Sequence, residues 1–347
     1  MEKNQQPILD AIDPEIVDRL VSRRDAIRKG ASVSSMVATG LAMGSVPVML
    51  AALSRDVFAQ APQDILDALQ FALILEHLEN EFYKAVLGTS AVPAQNTAFA
   101  PVRALVPAGV TETLRQIQKH EQAHVNFLRT AIPLFGGTPP TITANDFDFT
   151  GGNGSGTGPF ATATTRVDVL LLATQAFEDT GVRAYKGQAG RFLIAGNPNA
   201  DIAMEAALRI HSVEARHASK IRRIRRQLNP TDTTLRFSGY IRGGGAAAAG
   251  ASNIANPPAD VVAALNLIYG GGTGPVSFPD SNTRHVIFNG TNEVSVDAAT
   301  VGGTSAIGGA AAQQLAATQA FDEALTKAEV ITIVQNFIKN DPSRGLP

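Results

Sequence analysis

The chain has 347 residues, with 29 Lys and Arg against 31 Asp and Glu, for a formal net charge of −2. No whole-protein basic field is available for nucleic acid or for an anionic membrane surface. Cysteine is absent, which excludes disulfides, iron–sulfur clusters and thiolate metal sites.

Residues 1–21 are polar and acidic. They precede Ser22-Arg23-Arg24-Asp25-Ala26-Ile27-Arg28-Lys29 and an uncharged, mildly apolar stretch from Ala31 to Leu53. A pair of arginines, Arg23 and Arg24, before a weakly hydrophobic run looks like a twin-arginine export signal, although Ala26 replaces the phenylalanine usual there. Glycines, serines and Pro47 make the run a weak membrane-spanning helix. Cleavage after Ala61 would leave Pro62 first in the mature chain. Val57-Phe58-Ala59 avoids this, so the cut is expected after Ala59. Residues 1–59 thus read as a signal peptide. The mature protein is expected in the periplasm or outside the cell, with no stable membrane insertion.

Four helical segments follow, each with apolar residues at helical period. The first runs from about Asp64 to Leu87 and closes at Gly88. The second runs from about Thr111 to Leu134, before Gly136-Gly137. The third spans about Arg166 to Arg191, and the fourth about Asn199 to Leu228, before Asn229-Pro230. The Gly-, Pro- and Thr-rich stretch from Phe135 to Thr165 is long for a loop and suits a crossover between the two ends of a bundle. The fold class is therefore all-α. Residues 60–229 form a four-helix bundle, and 230–347 form a Gly/Ala-rich extension that ends in a short helix and packs on the bundle.

The two helix pairs repeat each other. Aligning Glu76 with Glu178 sets Leu69 against Leu171 and Tyr83 against Tyr185, so both helices read E-x6-Y. Aligning Glu121 with Glu214 sets Ile117 against Ile210, His124 against His217 and Arg129 against Arg222, so both read E-x-x-H. Residues three apart share a helix face, so each E-x-x-H pair points two ligands into one volume. Glu76, Glu121 and Glu214 each lie in a largely apolar stripe. Four carboxylates aimed at one core demand cations, since each unpaired buried charge costs several kcal/mol. Two divalent ions balance four glutamates, and two neutral histidines complete the set of Glu76, Glu121, His124, Glu178, Glu214 and His217. One Glu from each of two helices and Glu-x-x-His from each of the others is a known di-metal carboxylate pattern.

On these residues the sequence resembles the ferritin-like superfamily. It is most similar to the branch that includes plant desiccation-related proteins and many exported bacterial proteins. Leu75-Glu76-His77-Leu78-Glu79-Asn80-Glu81-Phe82-Tyr83 and Phe321-Asp322-Glu323-Ala324-Leu325-Thr326-Lys327-Ala328-Glu329-Val330 carry the likeness. The motifs cover residues 64–228 and 318–340, and only thinly 230–317. The resemblance implies Glu121 and Glu214 as bridging ligands, Glu76 and Glu178 as terminal ones, and one histidine per ion. Tyr83 and Tyr185 would be hydrogen-bond partners that orient the ligands. The likeness to a twin-arginine signal implies export in the folded state, which fits a metal site assembled in the cytoplasm.

Glu79, one turn from Glu76, is a rival ligand, but its repeat partner is Gly181, so Glu76 is preferred. His77, His120 and His211 have no histidine at the repeat-related position and are expected to be surface or core residues; the alternative for His120, four residues before His124, is a place beside the ligands. His285 receives no role. The basic run Lys220, Arg222, Arg223, Arg225 and Arg226 is expected to be solvated and to complement the helix C-terminal dipole. Gly243–Gly245 and Gly270–Gly272 lack the Lys and helix a phosphate loop needs. Thr326 and Glu329 form a capping box before the last helix.

Nitrogen and oxygen ligands without thiolate suit two iron or two manganese ions. The expected chemistry is ferroxidase, peroxidase or manganese-catalase-like, in oxidative stress or metal handling. The small-molecule partners would be dioxygen, hydrogen peroxide or ferrous iron. A homo-oligomer is compatible with this reading, and no nucleic acid is expected. The alternative is a non-catalytic envelope protein with a structural metal site, protective under stress or drying.

Overall fold

A computed structural model describes residues 63–194, 197–228, 259–269, 284–288, 293–297 and 324–339. The expected signal peptide and the two glycine runs lie outside the described residues. Four long helices make the bundle: α1 (Gln63–Leu87), α4 (Ala108–Leu134), α5 (Val167–Gln188) and α6 (Pro198–Leu228). Two short helices, α2 (Pro93–Ala98) and α3 (Ala100–Arg103), fill the join between α1 and α4.

The termini follow from local chemistry. Gly88, at φ +80°, ends α1, with Thr89 N donating to Lys84 O at 2.8 Å and Gly88 N to Ala85 O at 3.1 Å. Those two bonds satisfy carbonyls the helix would otherwise leave open, and the left-handed backbone favours glycine. Helix α4 starts three residues before the expected Thr111, because Pro107 precedes it and supplies carbonyl acceptors for Val110 N and Thr111 N. Helix α5 tightens after Gln188 into a 3-10 turn, Ala189–Phe192, which takes up the residues expected to extend it.

Helices α1 and α4 run antiparallel: Glu76 faces His124, and Asn80 accepts from Gln118 at 3.0 Å. Helices α5 and α6 form the second antiparallel pair, with Glu178 facing His217 and Gln175 facing Arg225. One end of the bundle is filled by aromatic rings. Phe82 and Phe177 lie 4.9 Å apart, and Phe99, Phe149 and Phe337 pack around them. Fully burying each such ring is worth about 1.5–3 kcal/mol.

The crossover between α4 and α5 is held by Asp148. Its carboxylate accepts from Thr150 N (3.0 Å), Gly154 N (2.8 Å) and Gly156 N (3.0 Å). Burial pushes this carboxyl up, but the Thr150 hydroxyl and the backbone N–H groups outweigh it and hold the pKa below the usual value. Gly158 is required where the loop closes, since a Cβ there would lie 2.2 Å from the Gly151 backbone.

The final helix α8 (Lys327–Val334) begins with the expected capping box: Glu329 N donates to Thr326 Oγ1 at 3.2 Å, and Thr326 N to Glu329 Oε2 at 2.7 Å. The segment packs on the bundle, with Leu325 N donating to Arg183 O and Asp148 N to Phe337 O.

The described residues of the extension hold regular elements besides the last helix. Helix α7 (Ala259–Tyr269) and a hairpin of β1 (Arg284–Phe288) and β2 (Glu293–Asp297) lie within it. The hairpin register pairs Arg284 with Asp297 and Phe288 with Glu293. Asn289-Gly290 between two β-branched runs is the signal that could have revealed it.

Helix α7 explains a departure at the basic run. Arg222 and Arg225 turn inward rather than to solvent. Arg222 bonds Asp179, Arg225 bonds Gln175, and Tyr269 of α7 donates to Asp179 Oδ2 at 2.8 Å. Fully buried Arg183 donates to Ile268 O at 3.1 Å. The run therefore ties α6 and α5 to α7. Among the described residues, no helix is long and apolar enough to cross a membrane.

Candidate metal centre

All six expected ligands project from the middle of the four helices into one buried volume. Glu76, Glu121, Glu178 and Glu214 have no solvent exposure, and His124 and His217 have almost none. Donor atoms of Glu76, Glu121, His124 and Glu214 lie within 4.8 Å of one another, and so do those of Glu121, Glu178, Glu214 and His217. Glu121 and Glu214 belong to both groups, while Glu76 and Glu178 belong to one each.

The histidines aim the same nitrogen inward. His124 Nδ1 lies 3.0 Å from Glu76, 3.2 Å from Glu121 and 3.2 Å from Glu214. His217 Nδ1 lies 2.9 Å from Glu121, 3.2 Å from Glu178 and 3.9 Å from Glu214. One ring nitrogen cannot hydrogen-bond three carboxylates. Several of these approaches lack hydrogen-bond orientation, so Glu121 Oε1 and both Glu214 oxygens are buried without a hydrogen-bond partner. Orphaned acceptors on the two shared glutamates fit a pair of cations lodged between the groups.

The tyrosines cross over. Tyr185 of α5 donates to Glu76 Oε1 of α1 at 2.5 Å, and Tyr83 of α1 donates to Glu178 of α5. Each therefore fixes the carboxylate unique to one group. Burial and the adjacent carboxylates push both phenols well above their ordinary value, so both remain donors.

Without cations, protons hold the site together. Burial pushes the Glu214 carboxyl well up, helped by Glu121 and Glu76, and pushes Glu121 up to about 7. Burial opposes charge on His217, but Glu178 and Glu121 prevail and raise it to about 11. His124 is raised in the same way by Glu76. Glu76 itself is pulled below its usual value by His124, against the cost of burial.

Glu79 sits beside the cluster without joining either group of ligands. It is buried, and its carboxyl is raised well up by burial and by Glu214. Room for it comes from Gly181, where a Cβ would lie 3.2 Å from Glu79 Oε1 and 3.3 Å from Glu214 Oε2. The Glu79–Gly181 pair that ranked it behind Glu76 is thus a packing relation. His120 is at the surface, as expected, and also meets the alternative, a place beside the cluster. That exposed residue places Nδ1 2.9 Å from His217 Nε2, with the rings stacked at 5.2 Å. Its spacing of one turn from His124 hinted at the site, but its contact is with His217 on another helix. His77 is buried, and burial lowers its pKa to about 4, so it stays neutral and takes no part in either group.

Four helices converging on a buried set of four glutamates and two histidines define a carboxylate bundle compatible with a di-metal site. Residues 64–227 match the family model described as the ferritin-like domain, which makes this bundle a member of the ferritin-like superfamily. No curated protein and no solved structure matches it significantly.

Proposed function

We propose that the protein is an exported di-iron or di-manganese carboxylate protein that reacts with dioxygen or hydrogen peroxide. The observation that carries this reading is the convergence of each histidine Nδ1 on carboxylates from several helices, with orphaned oxygens on the two shared glutamates. Glu121 and Glu214 would bridge the ions. Glu76 with His124 would complete one ion's ligands, and Glu178 with His217 the other's. A bound metal pair would supply a two-electron redox couple.

The chain's own groups supply position and polarity. Tyr83 and Tyr185 keep Glu178 and Glu76 pointed inward by donating their phenolic protons. Buried apolar neighbours such as Leu73, Leu128 and Ile221 hold water away and strengthen every charge interaction inside. His120 gives the His217 ring a hydrogen-bonded connection to the surface. Electrons must come from ferrous iron, peroxide or an external donor, because the chain has no cysteine for a thiolate centre.

The test is oxygen chemistry on protein purified from the periplasm after native export. Metal-loaded wild type should consume dioxygen with ferrous iron, or hydrogen peroxide, over many turnovers, and Glu121→Ala should not. Metal-loaded protein that turns over none of these would leave a structural metal site and contradict the enzymatic reading. Replacement of Arg23 and Arg24 by lysine should hold the precursor in the cytoplasm, and unaltered export would contradict the twin-arginine route.

A further inference from the structure

The two ends of the bundle differ in how they are filled. The repeat relates them: the start of α1 corresponds to the start of α5, and the start of α6 to the start of α4. At the aromatic end lie Leu170, Phe82 and Leu114, all buried. Their repeat-related positions at the other end hold Ala68, Ala184 and Ala207. All three alanines are buried and line one cavity. Phe71, Gln188 and Phe192, opposite Ala173, Val86 and Ser90, go the other way and leave room for only a small cavity. Three large-to-small changes at one level leave space that the surrounding helices do not close.

The cavity has a volume of about 20 Å³, and Phe192 of the 3-10 turn stands in its wall. Free space at its centre fits one small molecule rather than a chain. The wall is almost wholly apolar. Its one buried unpartnered polar atom is Gln188 Oε1, and a single acceptor does not hold a water that requires two to four partners. The inner wall includes Tyr185, whose hydroxyl bonds Glu76. Leu128 and Ile210, also on the wall, lie one helical turn from His124 and Glu214.

We infer that this alanine-lined cavity is a binding and entry site for a small apolar molecule of dioxygen's kind, delivered to the carboxylate cluster past Tyr185. The inference rests on the di-metal reading for the identity of its occupant, but not for its existence. An apolar cavity favours a nonpolar diatomic over water and over ions, so ferrous iron and hydrogen peroxide would reach the cluster elsewhere.

The test uses xenon on the full mature chain, followed by 129Xe NMR and by diffraction from pressurised crystals, first without metal. Wild type should hold xenon between Ala68, Ala184 and Ala207. Ala207→Leu, which restores the residue found at the repeat-related position, should exclude it and leave the melting temperature equal or higher. Ala184→Val serves the same purpose should Ala207→Leu fold poorly. Absence of xenon from wild type, or equal binding in the variants, overturns the cavity site.

The second arm loads ferrous iron and measures oxidation. Dioxygen should react about tenfold more slowly with Ala207→Leu, whereas hydrogen peroxide should react at the wild-type rate. Equal dioxygen rates overturn the delivery role. Failure of the wild type to load metal overturns the di-metal reading and dioxygen as occupant, while the xenon result still decides the cavity.

Discussion

Loading divalent metal onto the metal-free protein at pH 7 should release protons, and the structure sets how many. His217, raised to about 11, and His124, raised well above its usual value, are both charged in the metal-free state. Metal ligation requires their neutral form, so two protons leave. Glu121, raised to about 7, carries about half a proton, and Glu214, raised further, holds up to one more. The total is about two to four protons per pair of ions. The same shifts fix the pH dependence. Groups whose folded pKa is raised bind more protons folded than unfolded. Their stabilisation is present below the unfolded values of 4.5 and 6.5 and is lost as pH rises through about 7 for Glu121 and about 11 for His217. Metal-free protein should therefore melt lower at pH 9 than at pH 6, while metal affinity rises over the same range. Isothermal calorimetry of manganese binding in two buffers of different ionisation enthalpy counts the protons. Buffer-independent heats, or a metal-free protein equally stable at pH 6 and 9, would refute the assignment of these groups to one cluster.

Three further outcomes follow from particular contacts. Asp179→Ala should destabilise the protein by about 3–5 kcal/mol in denaturant titrations, because it strips Arg222 and Tyr269 of a buried partner. Asp148→Ala should cost about 3 kcal/mol through the lost charge-assisted bonds of the crossover. The depressed pKa of Asp148 gives it a stabilising contribution present above pH 3.8 and lost below it, so wild type and variant should converge in acid. His120→Ala should weaken about 10–100-fold the ion beside His217 and leave the other unchanged, read from two-step manganese titration by electron paramagnetic resonance.

The bundle was legible because its determinants are local and repeated. Gly88 stops α1, and the apolar spacing sets each helix face. The double occurrence of E-x6-Y and E-x-x-H marks four glutamates and two histidines for one buried cluster without any tertiary knowledge. The crossed Tyr83–Glu178 and Tyr185–Glu76 bonds follow from the same symmetry. What stayed hidden depends on neighbours far away in sequence. His120 meets a ligand 97 positions along, on a helix whose rotation sequence spacing does not fix. Arg222 and Arg225 read as a solvated helix end because their partners, Asp179, Gln175 and α7, come from other segments. The β1–β2 hairpin sits in a glycine-rich stretch where five-residue strands compete poorly with the surrounding turn signals.

The central claim is that two ions share Glu121 and Glu214. Anomalous diffraction from crystals of protein purified from its native source, collected at the iron and manganese edges, tests it most directly. The account predicts two peaks between the four helices, each beside one histidine Nδ1 and both beside Glu121 and Glu214, and no peak in Glu214→Ala. A well-ordered cluster without anomalous density, or a single ion away from the shared glutamates, would contradict it.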